Sequence, residues 1–448
     1  MDVEEAVHYG MAQHPKPRRV LVLSGGFSTV GEVLKYASVE HVDYVELDPL
    51  VLDVETRFMG GVNDSRVALH AIDGRVYVRE EAASGGSYDV LLVSLPDPAN
   101  AQVGRFYTIE FFRDARRLLG DSGVFSISVS SNQNYQSPES RRLNACVYRT
   151  LKAAFGSVLV VPGGRNYYLA SDNNLTYDIA GRIEKLGVET YFVNKYYLEG
   201  MLTPDRIKYA VDSITGAETI VNADFKPVSY YYYLEYWSSY FRLDMRLIAA
   251  ILLAALFIVL HRLRPLHLAV YTAGFSGAAL EVILLLAFQA LYGVAYRWVG
   301  LLASSFMLGL FLGGRHASRR NGDLKTVKIL LSSICVYSIA LPAVTYTLSI
   351  LPPGASCPAA QLAFPLLAAI LGFSVGCLFP TAASVVQRGG GSAGEAMGVL
   401  YFLDMSGAFF GSLISGILLV PLLGVAYSSL IVFILNLTSV IRLRRGGE

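Results

Sequence analysis

The chain has 448 residues, 53% of them hydrophobic and only 16% charged, with a formal net charge of +1. That is too apolar for an ordinary water-soluble protein, and a near-zero net charge with no basic stripe in the first half excludes a nucleic-acid-binding surface. The apolar excess is uneven: residues 1 to about 245 mix charges with short apolar runs, whereas from Leu247 onward the runs lengthen toward the roughly 20 residues that cross a bilayer.

The opening Met1-Asp-Val-Glu-Glu lacks the basic start and apolar core of a signal peptide, so insertion is expected to be directed by the first apolar helix. Arg19 to Leu23 is a β-rich run, followed by the turn Ser24-Gly25-Gly26-Phe27-Ser28 and a helix through Tyr36. A second strand, Val42 to Leu47, ends in acid, and further strands are expected near 66–70, 90–93, 124–129 and 158–161, with a helix over 108–119. Short apolar strands alternating with helices predict an α/β Rossmann-like domain over residues 1–220, its mainly parallel sheet covered on both faces. Ligands bind such sheets at the carboxyl ends of the strands. There Gly25 and Gly26 let the backbone approach a ligand, Glu46 can accept hydrogen bonds from ribose hydroxyls, and Asp73-Gly74 is placed to meet an adenine amino group. Each of these alone also fits a plain turn or a solvated strand-end acid.

Read together, these residues resemble the spermidine synthase family of polyamine aminopropyltransferases, whose Rossmann-like fold is shared with methyltransferases. The likeness runs from about Glu4 to Ser171. It rests on His8 and His14-Pro15, the Gly-rich loop Ser24 to Ser28, Val45-Glu46-Leu47-Asp48, Asp73-Gly74, Ser94-Leu95-Pro96-Asp97-Pro98, and the aromatic pairs Phe106-Tyr107 and Phe111-Phe112. The resemblance implies decarboxylated S-adenosylmethionine as co-substrate, with S-adenosylmethionine as the variant, and a diamine such as putrescine as acceptor. It implies substrate contacts by His8, Asp97 and Tyr107, and catalytic positions at Ser94 and Asp97. A methyltransferase is a further possibility on the same fold, although Asp97-Pro98 and the aromatic pairs point away from it.

Two departures bear on the chemistry. Where the family's loop carries an Asp that holds the ammonium of the aminopropyl arm, this chain has Phe27, and where the family's first Asp accepts the attacking amine's proton, it has Ser94. An alkylamine with a pKa of about 10 is protonated at neutral pH and cannot attack carbon until it loses that proton. A serine hydroxyl is a poor acceptor for it. Asp97 remains as a candidate base, equally readable as a turn-initiating Asp before Pro98, and His8 equally as an exposed residue near the chain start. Members of the family also carry a small β domain ahead of the nucleotide fold, whereas about 18 residues precede the first strand here; the expectation is an open pocket or a piece of a longer protein.

Residues 221–246, with Tyr230-Tyr-Tyr-Tyr-Leu-Glu-Tyr-Trp237, are expected to form an aromatic interfacial linker at headgroup level. An all-α, multi-pass transmembrane domain then occupies 247–448, with seven spans near 247–261, 268–293, 297–314, 327–351, 360–386, 396–420 and 425–441. It resembles the transporter-like membrane part of fused spermidine-synthase-like proteins in Phe306 to Gly314 and Gly411 to Gly424. Gly309 with Gly313, Gly372 with Gly376, and Gly407 with Gly411 suit close helix contacts. Glu281, Gln289 and Asp404 fall inside the spans, where polar groups face a cavity or a partner; they read equally as polycation ligands or as structural interhelical bonds. Four cysteines without a CxxC pair support neither a metal site nor a disulfide framework.

Basic residues gather after spans one, three and seven, from Arg262 and Arg264 through Arg315 to Lys328 and then Arg442 to Arg445, whereas the opposite loops have only Arg297. The positive-inside rule makes the basic loops cytoplasmic, which puts the soluble domain outside if all seven segments cross. An adenosyl co-substrate argues for the cytoplasmic side of an inner (plasma) membrane, with 247–261 lying in the interface, and that placement is the expectation adopted. Two function classes follow: a membrane-anchored aminopropyltransferase with weakened or altered activity, and a non-catalytic transporter-like or sensor protein whose nucleotide-fold domain binds an adenosyl ligand or a polyamine.

Overall fold

The computed structural model describes residues 1–132, 135–293, 296–320, 322–350, 358–388 and 393–445. Two compact units divide the chain. The first comprises Met1–Asp224 with Val228–Arg242, and the second Phe225–Pro227 with Leu243–Glu448.

The first unit is built on seven strands, β1 (Arg19–Leu23), β2 (His41–Glu46), β3 (Val67–Ala71), β4 (Tyr88–Val93), β5 (Leu119–Ser130), β6 (Ser157–Val161) and β7 (Arg165–Ser171), in the spatial order β3-β2-β1-β4-β5-β7-β6. β1 to β5 pair in parallel, whereas β7 pairs antiparallel with both β5 and β6. The strand order reverses between β1 and β4, the switch point where open α/β sheets leave a crevice. Six of these strands lie where the sequence places them; β7 was not foreseen, and it makes the sheet mixed.

Helices α1 (Asp2–Met11), α2 (Phe27–Leu34), α3 (Pro49–Met59), α4 (Gly74–Ser84), α5 (Ala101–Gly104), α6 (Ile109–Leu118), α7 (Pro138–Lys152), α8 (Ile179–Lys185), α9 (Lys195–Met201), α10 (Pro204–Thr215) and α11 (Val228–Ser239) complete the unit. α6 shows why they lie on the sheet: Ile109, Phe111, Phe112, Ala115 and Leu118 are buried, while Arg113, Arg116 and Arg117 stay on the other side. Helical periodicity sorts the two sets. Phe111 and Phe112 meet Phe125 of β5 edge-on. The opposite face of the sheet carries a second apolar cluster around Val20, Val22, Val42, Tyr44, Val90 and Leu92.

Residues 221–246, expected as a linker, belong largely to this first unit. Buried Asn222 donates to the Tyr107 carbonyl at 2.9 Å, and its own Oδ1 accepts from Ser229 N at 3.1 Å, which seats the start of α11. Tyr231 is buried, whereas Trp237, Tyr240 and Phe241 are exposed.

In the second unit α12 (Met245–Arg262), α13 (Pro265–Tyr292), α14 (Tyr296–Ser318), α15 (Leu324–Ile350), α16 (Pro358–Arg388), α17 (Ala393–Ile414) and α18 (Val420–Arg445) follow one another. By length and apolarity, six stretches among the described residues are long enough to cross a membrane, the last being Met397–Arg445 with 49 residues. That is more than twice what one crossing takes. It breaks at Gly424, whose φ of 83° and ψ of 174° are not helical. The seven expected spans thus become six apolar stretches, with the expected 396–420 and 425–441 as two legs of the last.

The small residues make the contacts expected of them. A side chain on Gly309 or Gly313 would overlap the carbonyl of Ala369 or Phe373, and one on Gly372 or Gly376 that of Phe306 or Leu310. Residue numbers rise together across this seam, so α14 and α16 run parallel. Gly407 and Gly411 of α17 meet the Tyr271 and Phe275 carbonyls of α13 in the same sense. α13 is further tied to α18, where Asn436 Nδ2 donates to Ser276 Oγ at 2.6 Å and the hydroxyls of Thr272 and Ser439 lie 2.8 Å apart. Cys146, Cys335 and Cys377 are buried and unbridged, and Cys357 lies outside the described residues.

Candidate active site

At the carboxyl ends of β1, β2 and β4 lies a cavity of about 270 Å³ lined by Ser24, Glu46, Asp73, Gly74, Ser94 and Arg105 among others. Its rim begins at the turn after β1, where Ser24, Gly25 and Gly26 have φ of 57°, 98° and 81°. Gly25 is required twice over, for this left-handed backbone and because a Cβ there would stand 2.6 Å from Ser94 Cβ. Gly26 donates its N–H to the Tyr44 hydroxyl at 3.1 Å. Phe27, in the place of the family's loop acid, is buried and packs edge-on against Tyr44.

Glu46 ends β2 half-buried, with Oε1 accepting from Leu47 N at 2.8 Å. The next residue but one, Asp48, caps α3 by accepting from Leu50 N at 2.9 Å, so the acid-to-helix transition is fixed locally. Asp73 caps α4, its Oδ1 accepting from Arg75 N at 3.0 Å and Val76 N at 3.2 Å, while Oδ2 pairs with Arg105. Gly74 keeps the wall open between Leu23 and Phe106. Asp73, expected to meet an adenine amino group, also pairs with the buried Arg105. Burial pushes the Arg105 guanidinium down, and Asp73 pulls against that shift.

A second cluster stands beside Ser94 in sequence. Asp97 is buried, and its Oδ1 accepts from Ser130 N at 3.0 Å and from Arg165 Nη2 at 2.9 Å. Arg165, the first residue of β7, also donates through Nε to Ser128 Oγ at 2.9 Å and through Nη1 to Ser130 Oγ at 3.2 Å. Tyr107 is wholly buried and donates to the carbonyls of Pro96 and Ser128, holding the 94–98 segment against β5. Tyr107, expected to touch substrate, is thus a brace for this segment. Burial first, and next the charge of Asp97, push the Tyr233 phenol of α11 up, so that helix lies within the field of Asp97.

His8 lies elsewhere. It is fully buried under α2, with Nδ1 2.9 Å from the Tyr36 hydroxyl and Nε2 3.0 Å from Glu32. Burial pushes it down, opposed by Glu32. The exposed reading of His8 is overturned: it is a buried core histidine, and it is not among the residues that line the cavity.

Glu281, Gln289 and Asp404, singled out in the apolar spans, are spread along the helices rather than gathered at one point. Asp404 packs on the backbone of Gly274, with its Oδ1 2.8 Å from where a Cβ would be. Glu281 and Gln289 follow on α13, about 10 Å and about 22 Å further along the axis at 1.5 Å per residue.

Three residues escaped the sequence reading. Arg105 and Arg165 are separated from Asp73 and Asp97 by 32 and 68 positions. Glu55 of α3 accepts from Phe27 N at 3.3 Å, acting as the cap that Gly26 cannot supply, and its Oε2 is buried without a partner. The β-prone run Asn166-Tyr-Tyr-Leu169 was a signal for β7, and hence for a charged residue at its first position.

The family model described as "Spermine/spermidine synthase domain" matches residues 2–168. A polyamine aminopropyltransferase of Pyrobaculum calidifontis is 38% identical over 139 residues, 30% of this chain and 48% of the relative. One from Clostridioides difficile is 30% identical over 227 residues, 47% of this chain and 77% of the relative. The chain thus spans about half the length of the first of these relatives. Among solved structures, the spermidine synthase from Thermotoga maritima is 26% identical, with 47% of this chain and 74% of that chain covered and a TM-score of 0.39.

Proposed function

The chain belongs to the spermine/spermidine synthase family, and from that premise we propose that its first unit binds decarboxylated S-adenosylmethionine and transfers the aminopropyl group to an amine, weakly or with an altered acceptor. The observation that carries this reading is the cavity at the switch point, where Glu46, Asp73, Gly74 and Ser94 line one wall system next to the Gly25-Gly26 turn. Glu46 would hold the ribose hydroxyls, and Gly25 and Gly26 would let the sulfonium end pass close to Ser94. The co-substrate supplies an electrophilic carbon beside a positive sulfur; the chain's own task is to orient it and to receive the attacking amine. No group at position 94 takes a proton, so the amine must arrive neutral or lose its proton to water. Loss of a positioned general base lowers rates by about 100- to 10,000-fold.

The second unit is proposed as a multi-pass anchor in a lipid bilayer, supported by its six long apolar stretches, with the first unit on the cytoplasmic side of an inner membrane. A second reading, adenosyl binding without turnover in a sensor or transporter-like protein, is favoured by Ser94 and by the occupation of Asp97 by Arg165. One experiment separates them. The full chain in detergent micelles is titrated with decarboxylated S-adenosylmethionine and with S-adenosylmethionine by calorimetry, and methylthioadenosine is then measured after adding amines. Binding of the decarboxylated form with product supports the transferase, binding without product the sensor, and no binding of either ligand overturns both.

A further inference from the structure

We infer that Arg165 sets the acceptor class: its guanidinium holds the place of a diamine's ammonium on Asp97, so the acceptor is a short amine bearing a carboxylate rather than a diamine. This deepens the aminopropyltransferase reading and rests on it for the transfer step. Arg165 is held on three sides, by Asp97 Oδ1 at 2.9 Å, Ser128 Oγ at 2.9 Å and Ser130 Oγ at 3.2 Å, with a longer contact of 3.3 Å to the Ser128 carbonyl. Such a planar fork, anchored by strand residues, is pre-organised and costs little to keep in place. Asp97 is in turn fixed by Ser130 N. With Ser94 in place of a second acid, the only carboxylate of the 94–98 segment is neutralised by a permanent cation.

An incoming ammonium would find that carboxylate already paired, so it gains little there beyond what water offers it. The side chain of Arg165 remains 30% exposed, and four of its five N–H groups are used in the contacts above, leaving one on Nη1. An anionic group can therefore reach it. For the transfer, the acceptor's amine lone pair forms a C–N bond to the propyl carbon beside the sulfonium as the C–S bond breaks. The sulfur keeps that electron pair and leaves as methylthioadenosine, and the new ammonium sheds one proton to solvent.

Putrescine and 4-aminobutyrate are matched probes, nearly equal in length and differing in one end group. The full chain in micelles is titrated with each by calorimetry, alone and with decarboxylated S-adenosylmethionine present. The expected result is that 4-aminobutyrate binds at least about tenfold more tightly than putrescine, that Arg165→Gln reverses the order by freeing Asp97, and that Arg165→Lys keeps the wild-type order. Putrescine binding as tightly or more tightly than 4-aminobutyrate to the unaltered protein overturns the inference, as does absence of binding by both amines. An unchanged order in a folded Arg165→Gln protein overturns it as well; should that variant not fold, the ranking in the unaltered protein decides. Failure of the adenosyl ligand to bind sinks the transferase reading separately, because the amine ranking is read without it.

Discussion

Glu46 stands half-buried at the tip of β2 with one oxygen engaged by Leu47 N. Glu46→Ala is expected to weaken adenosyl-ligand binding by roughly 10- to 100-fold, since hydrogen bonds to a charged group are worth about 1.5–3 kcal/mol; calorimetry showing unchanged affinity would remove Glu46 from the site. Ser94→Asp combined with Arg165→Gln restores two free carboxylates, and methylthioadenosine release with putrescine is expected to rise by about 100-fold or more over the unaltered protein. No gain would locate the deficit at Phe27. At this scale the sequence was legible where a residue's position follows from the end of its own strand, as for Glu46 at the end of β2 and Ser94 after β4, both of which line the cavity. It was blind where function depends on a partner brought by folding. The ion pairs of Arg105 and Arg165 redefine Asp73 and Asp97, and burial under α2 turns His8 into a core residue.

At the scale of elements, the alternation of short apolar runs with turns located six strands within a few residues. β7 was hidden because it starts only three residues after β6, beyond Pro162-Gly163-Gly164, where the alternation of strand with helix that located the others does not hold. α11 was misjudged for a related reason: its tyrosines suit a membrane surface, but the latch at Asn222 draws the helix into the first unit. Next to that latch, Glu110 of α6 accepts from Asp224 N at 3.0 Å, and burial together with the Asp224 charge pushes its carboxyl up to about 7. Arg75, paired with Asp224, pulls the other way. The folded state therefore binds a proton that the unfolded chain has released. The stability this contributes is fully present below about 4.5 and is lost as pH rises through about 7. Glu110→Gln is expected to flatten the fall in thermal stability between pH 5 and about 7.5; a variant that follows the parent curve would show that other groups govern it. In the second unit, Gly372→Leu drives a side chain into the Phe306 carbonyl and is expected to cost about 1–3 kcal/mol or more by overpacking, read as a lower melting temperature in micelles. Gly394→Leu, with open space around it, serves as the control and should leave that temperature unchanged.

For the whole molecule, composition alone separated a mixed α/β half from an apolar helical half; the compact units run to Arg242 and from Leu243, apart from Phe225–Pro227. Orientation is the property on which sequence arguments conflict. If the first unit faces the cytoplasm, protease added to sealed inverted inner-membrane vesicles digests it, and protease added to intact spheroplasts spares it; the opposite pattern would favour the charge rule and leave the adenosyl ligand without a source. The glycine seams bear on what any motion of the helical unit can look like. Where α14 meets α16 and α17 meets α13, backbone lies on backbone with no side chain between, so there are no rotamers to exchange and no slack for sliding. Each pair behaves as a single fused rib. A rearrangement of this half would carry each rib as a unit, and the non-helical joint at Gly424 would let the leg of α18 beyond it turn against the rib that holds α17.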